Sequence, residues 1–514
     1  MKHLALAAVV TSTLLAAAVT FTGCSSEKKP DENPPGTCDP TKEQCDPDAG
    51  PGGLTLKTPA LPCADAPASV YDAPSSPLAA DVAKRGEILR CGIDADVSKD
   101  ALTAKLAEVG YKGKPPTSGA RVYRVLFQTE RGDEKSSAGA SSGLVYIPDV
   151  PRAAKLPVVV AARGSRGQAA ACAASKFDKA AESVNDDLYS LVYPLVGAGY
   201  AVVLPDLAGY ANYGAAGNPP SVYAGAADVG KSTLDSARAI RKLFPVLDEK
   251  VVLVGHSQGG HSALAALALA ESYGAGLNVA GVAVYAPLWL SQRSWGAALY
   301  NGVSKDFPIA TAPSIAAVSL WYHYTHAEML DGPGEGKKLF APGKQDQVKA
   351  FVDSKCWGSK YPELEALGTL PEDMFDPEFV KKVALVSAGI NDCDPADTVC
   401  VKWQKRYKDD RPRLTGKAAQ TPMLLLYGGK DTTIPPNRMQ CALDRLKQDG
   451  TKTTVCVEPD ATHGGIVDVR SDYVGDWVAS VALGGAAPAA CPSDEKALTE
   501  DGGAIKCATP PPND

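Results

Sequence analysis

Residues 251–261, Val251-Val252-Leu253-Val254-Gly255-His256-Ser257-Gln258-Gly259-Gly260-His261, constrain the fold more than any other stretch of the chain. A short, unbroken apolar run reads as a strand covered on both faces, because a half-exposed strand would alternate with polar residues. An alanine- and leucine-rich helical pattern follows at once. A strand that turns directly into a helix brings its backbones so close that side chains at 255 and 259 would clash. Glycine at both positions removes the obstacle. Such a unit belongs to a mostly parallel sheet wrapped by helices.

Other stretches repeat the pattern. Residues 156–162, 201–205, 279–285, 423–427 and 453–457 are nearly continuous apolar runs. Between two of them, Val229, Thr233, Ala237 and Ile240 fall on one helical face before Pro245 ends the helix. Ahead of them, residues 121–130 alternate, with Tyr123, Val125 and Phe127 on one face and Arg124 and Gln128 on the other. A polar turn leads to Gly143-Leu144-Val145-Tyr146-Ile147, and the two runs predict an antiparallel pair. The expected class is α/β.

Composition narrows the partners. Lys+Arg 52 against Asp+Glu 59 gives a net charge of −7, which argues against nucleic acid, whose phosphates need clustered cations. After residue 23 no apolar run reaches the roughly 20 residues that cross a bilayer. The 13 cysteines exceed what a cytosolic enzyme usually carries. Setting Cys24 aside leaves an even dozen, scattered rather than clustered as zinc ligands would be, and disulfides are expected. Cys441–Cys456 is the preferred pairing, since both flank one short helix–strand connection. Cys393 and Cys400 frame Asp392, Asp394 and Asp397, which favours a disulfide-bound loop over a cation site. Asp94, Asp96, Ser98 and Asp100 imitate the opening of an EF-hand, but Lys99 replaces its glycine and no terminal glutamate follows, so no calcium site is expected.

The N-terminus explains the oxidising environment. Residues 1–23 carry a basic start and an apolar stretch, the build of a cleaved export signal. Phe21-Thr22-Gly23-Cys24 resembles the bacterial lipobox, which implies lipidation of Cys24 and attachment to a membrane. Ser25, by resemblance to enterobacterial lipoproteins, permits an outer-membrane or cell-surface destination. Residues 24–60 read as a flexible tether in which Cys38 and Cys45 can close a loop. Residues 486–514 read as a loop-like tail, with Cys491 and Cys507 as staples.

Ser257 stands at the centre of Gly-x-Ser-x-Gly on the strand–helix corner, which lifts its hydroxyl above the carboxyl edge of the sheet. The N–H of Gln258, at the helix N-terminus, points toward developing negative charge. The serine needs a base. His3 leaves with the signal, His256 should point away from the serine, and His261 supports the corner. His323 and His326 are spaced i, i+3 but lack further ligands, so packing or substrate contact is expected. His463, in a loop past the last strand, remains. Asp431 follows the strand at 423–427 and a Gly-Gly turn; Asp206, the rival acid, precedes the serine and looks structural. The order Ser257, Asp431, His463 is that of an α/β-hydrolase. A second oxyanion donor should come from the loop Arg163-Gly164-Ser165-Arg166-Gly167, with the N–H of Gly164 or Ser165 as candidates.

Pro205-Asp206-Leu207-Ala208-Gly209-Tyr210, the helix at 228–244, the segment 255–260, Tyr285-Ala286-Pro287-Leu288, the segment 427–435 and Thr462-His463-Gly464 together resemble the secretory lipases of the lipase A type. The resemblance covers about residues 120–480. It implies an α/β-hydrolase core over residues 61–290 and 413–485, with a helical cap or lid at 291–412. It implies carboxylic-ester hydrolysis, needing no cofactor or metal, on a small-molecule or lipid ester. Ser257, Asp431 and His463 match the triad positions. Arg163 departs from the family, where histidine often precedes the glycine. The resemblance also implies a Cys172–Cys356 bond between this loop and the cap. Trp295, Trp321, Tyr322, Tyr324 and Trp357 are candidates for cap core or acyl pocket. A peptidase or acyltransferase on the same triad, and a non-catalytic envelope binding protein, are the alternatives.

Overall fold

The apolar runs become strands of one nine-stranded sheet in the computed structural model of the chain, which describes residues 56, 58–176, 186–211, 219–288, 291–436 and 439–492. The strands are β1 (Ile88–Ile93), β2 (Ala120–Glu130), β3 (Ala138–Pro148), β4 (Val158–Ala162), β5 (Ala201–Ala208), β6 (Lys250–His256), β7 (Asn278–Tyr285), β8 (Met423–Gly428) and β9 (Thr453–Glu458). Their spatial order is β1-β2-β3-β5-β4-β6-β7-β8-β9. The expected hairpin is β2–β3, paired from Ala120↔Pro148 to Glu130↔Ala138. From β5 onward the pairs are parallel.

Successive residues of a strand face opposite sides, and here both sides are apolar. Val158, Val160, Val251 and Leu253 enter one core with Leu234, Ile240 and Leu264. Val159, Ala161, Val252 and Val254 enter the other with Leu191, Leu195, Val474 and Val478. A fully buried valine or leucine contributes about 1.5–3 kcal/mol, so each two-sided strand is strongly fixed in register. Helix α1 (Lys99–Glu108), α2 (Asp186–Gly197) and α13 (Gly465–Leu483) supply residues to the second core, while α3 (Ala226–Leu243) and α4 (Gln258–Leu269) supply the first. Asp228 in the first turn of α3 and Arg241 and Lys242 in its last complement the helix dipole.

Between β7 and β8 the chain is helical: α5 (Gln292–Val303), α6 (Pro313–Leu330), α7 (Gln345–Ser354), α8 (Pro362–Glu365), α9 (Pro377–Ser387), α10 (Thr398–Asp409) and α11 (Lys417–Gln420). Helix α12 (Gln440–Gln448) joins β8 to β9. The insertion has its own aromatic centre, where Trp321, Tyr322, Trp403 and Tyr407 are buried. Trp321 stacks on Phe351 at 6.3 Å and Tyr324 on Phe340 at 5.8 Å, so those two expected aromatics serve packing. The side chain of Trp295 lies outside the described residues.

One strand was not expected, and two expectations need correction. The edge strand β1 was not foreseen, because Arg90 and Gly92 interrupt its apolar pattern. Leu56, counted with the tether, is buried in the core, and the exposed Ala60 is held to the end of α3 by its N–H, which donates to Leu243 O at 2.8 Å. Cys441 does not pair with Cys456; Cys456 bonds Cys491, drawing the segment after α13 onto β9. The bonds Cys172–Cys356 and Cys393–Cys400 are present as expected, and Cys63–Cys91 ties the chain ahead of the sheet to β1. The export signal, Cys24, Cys38, Cys45 and Cys507 lie outside the described residues. Among the described residues no helix is long and apolar enough to cross a membrane.

Candidate active site

Ser257 follows β6 as the N-cap of α4, with φ 54° and ψ −120°, a conformation that side-chain-bearing residues rarely adopt. Such backbone costs about 1–3 kcal/mol and persists only where the surroundings enforce it. Here the Ser257 N–H donates to Tyr285 O at 2.9 Å, and Ser257 O accepts from Leu288 at 3.1 Å and His261 at 3.2 Å. The glycines are required as expected: a Cβ at 255 would stand 2.2 Å from Gly259 O, and one at 259 would stand 1.9 Å from Ala162 O. Helix α4 therefore begins at Gln258, whose N–H lies in the first turn, beyond reach of an intrahelical carbonyl.

A second pair of glycines builds the other half. A Cβ at Gly428 would lie 2.4 Å from Ala461 O, and one at Gly429 would lie 2.4 Å from Pro459 O. The turn after β8 is thus pressed against the loop after β9, with Lys430 N–H donating to Ala461 O at 2.9 Å. This contact brings Asp431 to His463, whose Nδ1 lies 2.7 Å from Asp431 Oδ2. A carboxylate can only accept, so Nδ1 carries a proton, and in the neutral imidazole Nε2 then keeps its lone pair. The other oxygen, Oδ1, accepts from the N–H groups of Thr433 and Ile434, both at 2.8 Å. Asp431 is 4% exposed, so its charge is little screened by water.

His256 has a part that the sequence did not reveal. Its Nε2 donates to His463 O at 3.0 Å, and the two rings lie 4.7 Å apart. The residue next to Ser257 thereby fixes the loop carrying His463. Its place beside the serine was visible, but the approach of residue 463 was not. Asp206 is occupied elsewhere: it accepts from Ser142 Oγ at 2.6 Å, from Ser175 N–H at 2.7 Å and from the Ser175 hydroxyl.

In the loop after β4, Ser165 Oγ lies 2.7 Å from Tyr223 OH, and the buried Arg163 reaches Gly164 O at 2.9 Å and Gln258 Oε1 at 3.2 Å. The insertion joins this loop through Trp357 N–H to Arg166 O at 2.8 Å, and through Cys172–Cys356.

His261, His323 and His326 form a buried network behind the elbow. His261 Nε2 donates to Asp410 O at 2.6 Å, and His326 Nε2 donates to Asp410 Oδ2 at 2.7 Å. Tyr322 OH donates to Asp410 Oδ2 at 2.7 Å, and Ala226 N–H donates to Asp410 Oδ1 at 2.9 Å. Burial pushes the Asp410 carboxyl up, but His326, Tyr322 and the Ala226 N–H outweigh it and hold it below the ordinary carboxylate range. His323 donates from Nδ1 to Ser319 O at 2.7 Å and accepts Tyr407 OH at Nε2, 2.8 Å away. These bonds tie α4, α3 and the insertion together and occupy the two histidines of α6.

The sequence profile described as "Alpha/beta hydrolase family" matches residues 184–476. A 2-hydroxy-6-oxononadienedioate/2-hydroxy-6-oxononatrienedioate hydrolase of Cupriavidus pinatubonensis is 30% identical over 189 residues, 34% of this chain and 60% of that protein. The chain thus spans about three fifths of that curated relative. Among solved structures, the ligand-bound rice cell wall degrading esterase LipA of Xanthomonas oryzae superposes with a TM-score of 0.55 at 21% identity, covering 76% of this chain and 94% of that one. Candida antarctica lipase A in its closed state superposes with a TM-score of 0.57 at 15% identity, covering 86% and 94%. These two likenesses concern the fold. With more than half of its residues matched, and a Gly-x-Ser-x-Gly turn on a mostly parallel sheet, the chain belongs to the alpha/beta hydrolase family.

Proposed function

We propose that the chain is a serine hydrolase of carboxylic esters, working through an acyl-enzyme on Ser257. The observation that carries this reading is the 2.7 Å pair between His463 Nδ1 and Asp431 Oδ2, on a loop that His256 fastens beside the strained serine. Ser257 Oγ attacks the ester carbonyl while His463 Nε2 takes its proton. Asp431 holds the imidazole tautomer and stabilises the imidazolium. The tetrahedral oxyanion accepts from Gln258 N–H and from an N–H of Gly164 or Ser165; each such donor typically contributes about 3–4 kcal/mol. His463 then protonates the departing alcohol. Water, activated by the same imidazole, releases the acid and restores Ser257.

The substrate is a small-molecule or lipid ester. Residues 291–412 act as a cap that shapes the acyl side, a reading supported by the Trp357–Arg166 bond and by the Cys172–Cys356 bridge. The chain is exported and held in the bacterial envelope by lipid on Cys24. The disulfides are in keeping with an oxidising compartment.

Ser257→Ala should abolish hydrolysis of short p-nitrophenyl esters while leaving the melting temperature near that of the parent chain. Retained turnover in the folded variant refutes the assignment. Product analysis with peptides and with competing alcohols separates the ester hydrolase from a peptidase and from an acyltransferase.

A further inference from the structure

Arg163 is a cation in a place where cations are costly. Its residue is 3% exposed, and among the described residues no carboxylate pairs with it. Its bonds go to neutral oxygens instead. Nη1 donates to Gly164 O at 2.9 Å and to Gln258 Oε1 at 3.2 Å, and Nη2 donates to the backbone O of Asp206 at 3.3 Å. The guanidinium lies 5.0 Å from the centre of the Tyr210 ring. Burying a charge against dipoles alone sacrifices solvation that a leucine or methionine would not need.

The partners explain the placement. Gly164 and Gln258 belong to the two segments from which oxyanion donors are drawn in the reading above. One guanidinium therefore bridges them. A trans peptide is planar, with its C=O and N–H directed oppositely. Because Gly164 O is turned to the guanidinium, the N–H of Ser165 in that same peptide points away from it. Among the described residues no acceptor is bonded to the Ser165 N–H, although its hydroxyl is engaged with Tyr223. The packing leaves little slack, since Arg163 O would stand 2.5 Å from a Cβ at Gly259.

We propose that Arg163 is a positioning residue for the oxyanion site. By holding Gly164 O and Gln258 Oε1 from one guanidinium, it aims the Ser165 N–H at the reacting carbonyl and sets its spacing from the Gln258 N–H. The second donor is then Ser165 rather than Gly164. The proposal rests on the reading of Ser257 as nucleophile.

The test compares the parent chain with Arg163→Met and Arg163→Lys, using p-nitrophenyl butyrate and an alkyl trifluoromethyl ketone, whose serine adduct carries an oxyanion. Arg163→Met should lower kcat roughly 100-fold, as loss of one well-aimed donor does. KM should stay within about threefold, because the ground-state carbonyl uses these donors little. Affinity for the trifluoromethyl ketone should fall in parallel with kcat. Lysine keeps the charge but cannot bridge both oxygens, so Arg163→Lys should recover only part of the loss. It also carries the test if the methionine variant does not fold. A folded variant of either kind with parental kcat and ketone affinity overturns the proposal, as does a loss confined to KM. Fluorophosphonate labelling of Ser257 in the parent chain keeps the two questions apart. A parent chain that labels and turns over, beside indifferent Arg163 variants, removes this inference alone; a parent chain that does not label removes the nucleophile reading and this inference together.

Discussion

Single residues at the elbow operate under steric limits that can be measured. A Cβ at 259 would meet backbone, not a yielding side chain, at 1.9 Å from Ala162 O. Gly259→Ala must therefore push α4 off the loop after β4. The expected destabilisation is about 2–3 kcal/mol or more, the usual cost of overpacking against rigid neighbours. Urea unfolding checks it, and a variant as stable as the parent chain would contradict the packing described. Residues with one chemical option were legible in the sequence. Ser257 stood between a strand and a helix, and eliminating the other histidines left His463, which lies against Asp431. Residues acting through tertiary approach were not legible. His256 acquires its partner only when the loop after β9 crosses the strand end, and Arg163 looked like a mere departure from the family until its three acceptors were visible.

Among the elements, strands buried on both faces were readable because burial removes polar residues from the pattern. The edge strand β1, carrying Arg90, was not. Disulfide pairing depends on distances that spacing does not encode, so Cys441–Cys456 failed while the seven-residue Cys393–Cys400 loop held. Helix α6 carries a prediction about pH. Burial, opposed by the Ser319 carbonyl, lowers the His323 imidazole from 6.5 to about 3. Between those values an unfolded chain binds a proton at this site that the folded chain refuses. Stability from this residue is thus present above the unfolded value and is lost as pH falls from about 6.5 toward about 3. His261 adds to the slope, since burial also lowers its imidazole. His323→Gln should flatten the fall in melting temperature across this window. An unchanged slope would show that His323 does not carry it.

For the whole molecule, the sheet brings together side chains that lie far apart along the chain, while the proposed attachment to the envelope rests on the sequence at Cys24. In a bacterial host, Cys24→Ala should move the full-length chain from the membrane fraction to the soluble fraction without changing its specific activity; continued membrane association would contradict lipid anchoring at that cysteine. The central claim is that Ser257 is a nucleophile activated by the His463–Asp431 pair. Mass spectrometry of the full-length chain after treatment with a fluorophosphonate tests it most directly. One phosphonyl group per chain is expected, on the peptide containing Ser257, with labelling slowed on the order of a thousandfold in His463→Ala. An unlabelled chain, a label elsewhere, or a rate at Ser257 indifferent to the loss of His463 would contradict it.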